Sequence, residues 1–370
     1  MKYSIRCLLW LLIATTQVFF ANDGAYYASG NHLVPITDAD IAVTKEILKV
    51  TRYKEEFLSV DVYYEFYNHG NDKKVLVGFE APSPSGDVDG YPINGKHPYI
   101  NRFSVEMNTV NLSYKTAIVS DSLYYKNGEI LAKTENEVIG SDFNTNDPEF
   151  YYVYHFNANF KKGKNVIRHK YIFKLSGSVM DKYSFDYILT AANRWSNKQI
   201  DNFTLIVDMG NEASFSINKS FYSGNDDWEI TGKGLKSFNK EREFTDFYIE
   251  EGSLTFHKKN FVSKDELYIS SSRNFQYCQK EEFDAQECTI IPFDISFQEK
   301  LQDVKDEKSY KILRNLPYAR RGYVFKTDFI QAYYQKQSWY TKNPTYVAEL
   351  EPLTKAEKNW LKFLKANVSF

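Results

Sequence analysis

Two clusters of carboxylate and amide side chains are the residues of this chain best suited to hold a cation. Calcium takes about six to eight oxygen ligands, which a binding loop supplies at alternate positions. Such side chains occur in two stretches, Asp87 and Asp89 in the first and Asp142, Asn144, Asn146, Asp147 and Glu149 in the second. The first stretch lacks the later ligands, and the second has Asp147 and Val153 where a calcium loop needs Gly and a bidentate Glu. The sequence therefore predicts polar connecting loops and no metal site.

The histidines and nucleophiles follow no catalytic pattern. The six histidines are His32, His69, His97, His155, His169 and His257. They form neither an H-E-x-x-H sequence nor a close pair with metal-ligand spacing, and no G-x-S-x-G turn or phosphate-cradling glycine loop occurs. We predict structural histidines and no cofactor. A triad assembled in space leaves no motif, so an envelope hydrolase stays open as an alternative.

The N-terminus has the organisation of a secretory signal peptide. Lys2 and Arg6 precede an apolar run from Cys7 to Ala14, which resumes at Val18 and ends at Ala21. The run is short for a membrane span, which needs about 20 apolar residues. We predict a signal peptide over residues 1–21, with an uncleaved anchor as the alternative. The mature protein is then secreted or periplasmic, and we expect it to be soluble because no other stretch approaches 18 apolar residues.

The predicted mature chain keeps two cysteines, Cys278 and Cys288, in an otherwise polar segment. In an oxidising compartment this pair favours a disulfide, which stabilises a fold by about 2–4 kcal/mol when it is unstrained. Two inert thiols are the alternative. We predict that residues 271–304 form a connecting segment that carries this disulfide.

Alternating apolar residues dominate the body of the chain from Ile41 onward. Every second residue of one run is apolar, namely Leu58, Val60, Val62, Tyr64 and Phe66. Strict alternation predicts a strand with one buried face. Turn residues at 68–72 and renewed alternation at Val75, Val77 and Phe79 predict that this strand and the next form an antiparallel hairpin.

The same pattern recurs further along the body. Tyr152, Tyr154 and Phe156 lead through a Lys- and Gly-containing turn at 161–164 to a return strand at 167–175, which predicts a second hairpin. The 29 Tyr and 28 Phe residues also favour sheets over helices. We therefore predict a mainly β body over residues 22–270, built of antiparallel, sandwich-like sheets and divided into one domain or two.

Helical signals occupy the C-terminal segment. Arg320 and Arg321 suit the last turn of a helix, and Gly322 is typical of the position just beyond it. Thr327 is placed to cap a second helix, which the spacing of its apolar residues extends as far as Tyr340. Thr354 and Glu357 form a capping-box pattern ahead of a third helix, whose apolar face is Ala356, Trp360, Phe363 and Leu364. Pro317 predicts a kink in the first helix or a fresh helix start.

This segment resembles the YARHG domain of secreted bacterial proteins. The resemblance rests on the sequences Leu313-Arg314-Asn315, Tyr318-Ala319-Arg320-Arg321-Gly322-Tyr323, Trp339-Tyr340 and Asn343-Pro344. It covers less than a fifth of the chain, and we predict a small all-α domain over residues 305–370. Arg321 stands where the family has its histidine, so no role of a titrating imidazole carries over. The resemblance implies an extracellular location and no reaction.

Charge is unevenly distributed along the chain. From Lys305 onward there are 13 Lys or Arg residues and 6 Asp or Glu residues, which gives this segment a net charge of +7. The predicted mature body before it carries −11. The basic module is expected to dock on the acidic body or to hold an anionic envelope polymer; a solvated helical surface is the plain alternative. A secreted chain is not expected to bind nucleic acid.

The leading functional hypothesis is non-catalytic binding in the cell envelope to an anionic polymer, a glycan or a protein. The candidate binding residues are Arg320, Arg321, Tyr323, Trp339 and Tyr340, and the long loop from Pro82 to Pro98 is a second candidate contact surface. The aromatic residues form either the core of the module or a stacking platform. A hydrolase with an accessory module and a purely structural envelope protein are the alternatives.

Overall fold

The computed structural model of the protein describes most of the body and most of the C-terminal module. The described residues are 32–35, 40–54, 56–84, 91–120, 124–142, 150–177, 181–211, 213–224, 227–240, 242–272, 306–336, 340, 342–350, 353 and 355–367. The predicted signal peptide and the predicted disulfide between Cys278 and Cys288 lie outside these residues.

Strands make up the body. They are β1 (His32–Pro35), β2 (Ile41–Arg52), β3 (Phe57–Asn68), β4 (Lys73–Pro82), β5 (Ile100–Met107), β6 (Val110–Asn111), β7 (Lys115–Val119), β8 (Tyr125–Lys126), β9 (Glu129–Ile130), β10 (Tyr151–Phe160), β11 (Gly163–Lys174), β12 (Asp181–Tyr187), β13 (Ile200–Asp208), β14 (Ala213–Asn218), β15 (Trp228–Asn239), β16 (Phe244–Phe261) and β17 (Leu267–Ser272). The helices are α1 (Glu135–Asp142), a 3-10 helix (Thr190–Arg194), α2 (Glu307–Ala319), α3 (Asp328–Gln335) and α4 (Lys355–Asn367).

The strands form two principal sheets. The small sheet has the order β1-β4-β10-β7, and the large sheet has the order β12-β17-β14-β16-β13-β2-β3-β11-β5-β6, with β15 beside β16. All pairs are antiparallel except β2 with β13. The predicted fold class, a mainly β body followed by an all-α module, is confirmed.

The apolar face predicted for β3 is buried, but the pairing predicted for this strand is wrong. β3 pairs with β2 and β11 in the large sheet, whereas β4 pairs with β1 and β10 in the small sheet. The second predicted hairpin fails in the same way, because β10 lies in the small sheet and β11 in the large one. Both turns therefore connect the two layers of a sandwich.

One carboxylate links the β3–β4 turn to the β10–β11 turn by hydrogen bonds. Asp72, in the turn after β3, accepts a hydrogen bond from the backbone N–H of Lys162 at 2.8 Å. It also pairs with the Nζ of Lys161 at 2.9 Å. The two chain crossings consequently lie side by side at one end of the body, a contact between distant segments that alternation alone does not specify.

The small sheet packs face to face on β3, β11 and β5. The ring of Phe79 lies 5.2 Å from Tyr171 and 4.8 Å from Phe103, and the ring of Tyr154 lies 4.9 Å from Phe103. These rings belong to one core that continues through both sheets. The outward-facing side of the small sheet is thus held in place by a rigid aromatic layer beneath it.

The large sheet folds over on itself through β16. Residues 244–249 of this strand pair with β14, residues 254–261 pair with β13, and β15 follows both halves. Between the halves, Gly252 has a φ of +105° and faces Gly232, whose φ is +104°. The fold brings β12 back onto the inner face, where the hydroxyl of Tyr187 lies 2.9 Å from that of Tyr64.

The module contains three described helices. α2 begins with a capping box between Asp306 and Ser309. It runs through Pro317 to Ala319 as one helix, so of the two predicted alternatives the fresh helix start is wrong. The proline leaves the carbonyl of Leu313 without its helical donor, and the indole N–H of Trp360 donates to that oxygen at 3.2 Å. Gly322, with a φ of +78°, follows the helix as predicted.

The two later helices follow the sequence pattern with one difference. α3 ends at Gln335, five residues before the predicted limit at Tyr340. α4 buries Trp360 and Leu364 on the predicted face. No helix within the described ranges is both long and apolar enough to cross a membrane.

Candidate functional site

The outer face of the small sheet is concave in the part of the chain that the structure describes. A short hairpin, β8–β9, stands over this face and packs through Tyr124, Tyr125 and Ile130 on Ala117, Val119 and Val153. The hairpin turns at Asn127-Gly128, both with positive φ (53° and 88°), as the tightest two-residue turn requires. Two recesses lie on this face, one bordered by Tyr124 and the other by Tyr125.

The larger recess, here called the groove, has a volume of about 710 Å³. It is lined by Leu76, Ser113, Tyr114, Lys115, Thr116, Ala117, Tyr125, Gly128, Glu129, Ile130, Ala132, His155, Phe156 and Asn157. This volume lies within the range of about 300–1,000 Å³ that is usual for small-molecule sites. The lining includes aromatic, apolar and hydrogen-bonding residues, so the groove can hold an amphipathic ligand.

The aromatic wall of the groove is fixed from below. The ring of Tyr114 makes an edge contact with Phe103 at 5.0 Å and lies 5.8 Å from Tyr154 in the core. The ammonium group of Lys96 lies 5.9 Å from the centre of the Tyr114 ring. The ring is therefore held in one orientation by the core and by Lys96.

A lysine and a neutral histidine lie side by side in the lining of the groove. His155 of β10 is half-buried and lies opposite Lys115 of β7 in the strand register. Burial and then the nearby Lys115 ammonium lower the pKa of His155. The imidazole is thus neutral at neutral pH and offers both a donor and an acceptor to a ligand.

The smaller recess, of about 220 Å³, contains a tightly bonded carboxylate. Glu80 is 5% exposed, and both of its oxygens accept from Nη1 of Arg194, at 2.9 and 3.1 Å. The Tyr124 hydroxyl donates to Glu80 Oε1 at 2.5 Å. Burial and the adjacent Glu80 charge raise the pKa of Tyr124, so the phenol stays protonated.

A second carboxylate at this recess is also committed to the fold. Glu266 accepts from the backbone N–H of Leu189 at 2.5 Å and of Thr190 at 3.1 Å, and from the Thr190 hydroxyl. It thereby satisfies the donors at the start of the 3-10 helix that carries Arg194. Glu80 thus binds Arg194 directly, and Glu266 holds the helix that carries Arg194.

Two further titratable groups are buried between the layers. Burial raises the pKa of Glu46 to about 8, against hydrogen bonds from Tyr187 and Tyr64. His169 is fully buried, and neither ring nitrogen has a hydrogen-bond partner among the described residues. Burial lowers its pKa to about 3, so the ring is neutral inside a cage of Tyr64, Phe79, Phe103 and Tyr171. These groups face the core and not the groove.

In the C-terminal module, the two predicted binding arginines turn inward. The Arg320 and Glu357 side chains are each 1% exposed and lie 3.4 Å apart. Arg321 contacts both oxygens of Glu357, at 3.0 and 2.8 Å, and donates to the carbonyl of Pro317 at 2.7 Å. This arrangement joins the end of α2 to the start of α4. The geometry therefore gives the pair a structural partner, and its predicted ligand contact stays a prediction.

The predicted aromatic binding residues have structural contacts as well. The Tyr340 hydroxyl donates to the carbonyl of Tyr323 at 2.8 Å. The Tyr323 ring meets Phe325 edge-on at 5.0 Å, and both tyrosines border the module core. Trp339 lies outside the described residues. The stacking platform predicted for this surface stays a prediction.

The comparison with protein families decides the identity of this module. Residues 295–367 match the family described as the YARHG domain. The C-terminal module is a YARHG domain. The body has no family match, and none of the curated proteins searched is significantly similar to the chain.

Solved structures resemble this chain only distantly. A Legionella pneumophila protein, provisionally described as nutrient-binding, is 16% identical with a TM-score of 0.47 and covers 93% of this chain and 99% of its own. An M1 zinc metallopeptidase from Deinococcus radiodurans is 10% identical with a TM-score of 0.25, over 62% of this chain and 42% of its own. An aminopeptidase N family protein from Idiomarina loihiensis is 9% identical with a TM-score of 0.26, over 62% and 29%.

The YARHG domain of this chain differs from the family pattern at Arg321. A guanidinium at this position reaches Glu357 and the Pro317 carbonyl together, which needs more donors than one imidazole has. The sequence marks Glu357 only as part of a capping box. Its contact with the arginine pair is visible only once α2 and α4 are packed.

Most residues of the remaining sequence-predicted sites lie outside the residues that the structure describes. Asp87 and Asp89, and the second polar cluster apart from the backbone of Asp142, lie outside the described residues. Among the residues that are described, no group of three His, Cys, Asp or Glu side chains is arranged to hold a metal ion. The described end of the Pro82–Pro98 loop is anchored by His97, which contacts the Pro82 carbonyl at 3.1 Å.

Sequence reasoning missed the groove, although one signal for it was present. Asn127-Gly128 between short polar and apolar runs is a strong hairpin signal, and it marks the hairpin above the site. No comparable signal links Glu80 to Arg194, because 114 positions separate them. The outward direction of His155 likewise depends on the register of β10.

Proposed function

We propose that this protein acts outside the cytoplasm as a non-catalytic envelope binding protein, with the groove on the small sheet as its ligand site. The observation that carries this proposal is the groove itself. It combines two tyrosines in its lining, Tyr114 and Tyr125, with hydrogen-bonding groups on His155 and Asn157. Such mixed concave surfaces are the usual form of a binding site.

The bonding of the adjacent carboxylates favours binding over hydrolysis. A hydrolase needs an acid or base that is free to exchange a proton with its substrate. Glu80 is held by Arg194 and Tyr124, and Glu266 is held by Leu189 and Thr190. Moving either carboxylate to a substrate would leave buried donors without partners, which costs about 1–3 kcal/mol for each donor.

The proposed location has two supports. The YARHG domain is found in extracellular and secreted bacterial proteins. The N-terminal arrangement of Lys2, Arg6 and a short apolar run is typical of an exported protein. A periplasmic or secreted binding role accounts for both.

The experiment compares two asparagines of the same strand. Asn157 lines the groove and Asn159, two positions on, is exposed beyond it. The chain from residue 22 to 370 is mixed with a sonicated envelope fraction from its own host and sedimented. We expect Tyr125→Ala combined with Asn157→Ala to lower the bound fraction at least tenfold, and Asn159→Ala to leave it unchanged.

Mass spectrometry of the same mixtures tests the absence of catalysis. The bound material should have the same masses before and after incubation. Equal binding by the groove variant and the Asn159→Ala control would contradict the proposed site. Cleaved material that disappears in a Glu80→Gln variant would contradict the non-catalytic role.

A further inference from the structure

We infer that the ligand of the groove is a sugar chain that carries negative charge, such as an oligosaccharide with carboxylate groups. This inference rests on the proposed function, because it names the ligand class of the same site. Three features of the groove lead to it: the aromatic rings, the paired polar side chains and the local positive charge. Each feature selects against a different class of ligand.

The aromatic rings favour a sugar over a flexible polar chain. Tyr125 stands on the hairpin side of the groove, and Tyr114 lies beyond Lys115 at the end of β7. The face of an aromatic ring is negatively polarised and attracts the polarised C–H groups that one side of a pyranose presents. Tyr125 is the ring placed to offer such a contact, since the ring of Tyr114 packs on Phe103 and Tyr154 of the core.

The polar side chains match the hydroxyl groups of a sugar. His155 and Asn157 project from the same face of β10, at alternate positions of one strand. A neutral imidazole and an amide each provide one donor group and one acceptor. Adjacent sugar hydroxyls also donate and accept, so these two side chains can satisfy neighbouring hydroxyls in pairs.

The local charge favours a negative ligand. Lys115 lies opposite His155 in the strand register and lines the groove with it, so its ammonium places a positive charge beside the imidazole. Lys96 adds a second cation beside Tyr114, and Glu129 on the hairpin is the one carboxylate in the lining. The acidic remainder of the body acts over longer distances and is screened beyond about 8 Å at physiological salt.

The edge of the small sheet argues against an extended peptide. A peptide can bind by adding a strand to an open sheet edge. At Ile118 this edge of β7 is already paired, because the backbone N–H of Lys133 donates to the Ile118 carbonyl at 2.7 Å. A peptide added along β7 would therefore lack a main-chain hydrogen bond at this position.

Calorimetric titration of residues 22–370 with three defined probes tests the inference. The probes are an oligogalacturonate of four to six units, a neutral cello-oligosaccharide of about the same length and a poly-glutamate decamer. We expect the oligogalacturonate to bind at least fivefold more tightly than either other probe. Lys115→Gln should remove this preference over the neutral sugar, and Asn159→Ala should preserve it.

Each contrary result overturns a defined part of the account. Equal binding of poly-glutamate would mean that charge alone is recognised, and equal binding of the neutral sugar would mean that charge is not recognised. If no probe binds while envelope material still depends on Tyr125 and Asn157, the ligand class is wrong and the proposed function stands. If the envelope material does not depend on them either, both are wrong.

Discussion

His169 illustrates how a single residue can set the response of this protein to acid. Its ring is fully buried among Tyr64, Phe79, Phe103 and Tyr171, and both nitrogens lack partners among the described residues. Neutral imidazole tolerates this environment, whereas imidazolium does not. The pKa is about 3 in the folded chain and about 6.5 when the chain unfolds. Between these values the unfolded state binds more protons, so stability is complete above about 6.5 and falls as the pH decreases towards 3.

His169→Leu should reduce this acid sensitivity. From pH 7 to pH 5, a group with these two pKa values costs the folded state about 2 kcal/mol. The free energy of unfolding of the variant, measured in urea at both pH values, should therefore fall by about 2 kcal/mol less than that of the wild type. A comparison with the wild type cancels the contributions of other titrating groups, including Glu46. An identical loss of unfolding free energy in both proteins would contradict the burial of His169.

Some features of single residues can be predicted from the sequence, and others cannot. The sequence correctly predicts that Gly322 follows a helix, because glycine at this position adopts a left-handed conformation that other residues avoid. It does not reveal that Arg321 contacts Glu357, or that Glu80 contacts Arg194. Each of these partners is chosen by the packing of distant segments and leaves no local pattern.

At the scale of elements, β15 and β16 depend on two facing glycines. A Cβ on Gly252 would lie 1.8 Å from the carbonyl oxygen of Thr231, and a Cβ on Gly232 would lie 2.3 Å from that of Glu251. The ribbon can bend here only because neither residue has a side chain. This bend allows β14 and β13 to pair with the two halves of one strand.

Gly252→Ala should therefore destabilise the body by ~3 kcal/mol or more, since the clash is with backbone on the facing strand. Gly210 is the matched control: its φ of +84° is similarly unusual, but nothing lies within 4 Å of the added Cβ. Gly210→Ala should cost only about 1 kcal/mol. Urea unfolding followed by tryptophan fluorescence gives both values. Equal losses would show that backbone conformation, and not the close approach, limits this position.

The helices of the YARHG domain depend on a buried ion pair. Removal of Glu357 would leave the guanidinium groups of Arg320 and Arg321 without their acidic partner in a site that is almost closed to water. Breaking a buried pair in this way typically costs about 3–5 kcal/mol. The domain should consequently unfold well before the body does.

Glu357→Ala tests this, with Glu349→Ala as its control because Glu349 is exposed. In the full chain, limited trypsin digestion should cut the Glu357→Ala variant within residues 306–367 at a temperature where the control stays intact. A Glu357→Ala domain as resistant as the control would mean that the arginines are stabilised by other groups. Their predicted role in ligand binding would then regain support.

The positions of the strands are easier to predict from the sequence than the strands with which they pair. Alternation identifies the buried residues of β3, because side chains of a strand point to opposite faces in turn. Alternation does not specify which strand lies alongside, so the predicted pairing of β3 with β4 in one sheet is wrong. The turn at 69–72 is as compatible with a crossing between layers as with a hairpin. The decisive contact, Asp72 with Lys161 and Lys162, joins segments about ninety positions apart.

On the scale of the whole molecule, the chain consists of a β-sandwich body, which carries the groove, and a basic helical YARHG domain. The +7 charge of the C-terminal segment still permits it to contact an anionic polymer or the acidic body. The inward direction of Arg320 and Arg321 removes these two cations from the exposed set. The groove is therefore the stronger candidate for ligand recognition, and the role of the domain in binding stays a prediction.

The central claim is that the groove, and not the YARHG domain, holds the ligand. Hydrogen–deuterium exchange of residues 22–370, with and without the sonicated envelope fraction, tests this claim most directly. It compares the groove and the YARHG domain in one experiment and does not require the ligand to be known. We predict slower exchange in residues 113–117, 125–132 and 155–157, with little change in residues 306–336. Protection confined to residues 306–336 would contradict the account and return the ligand site to the YARHG domain.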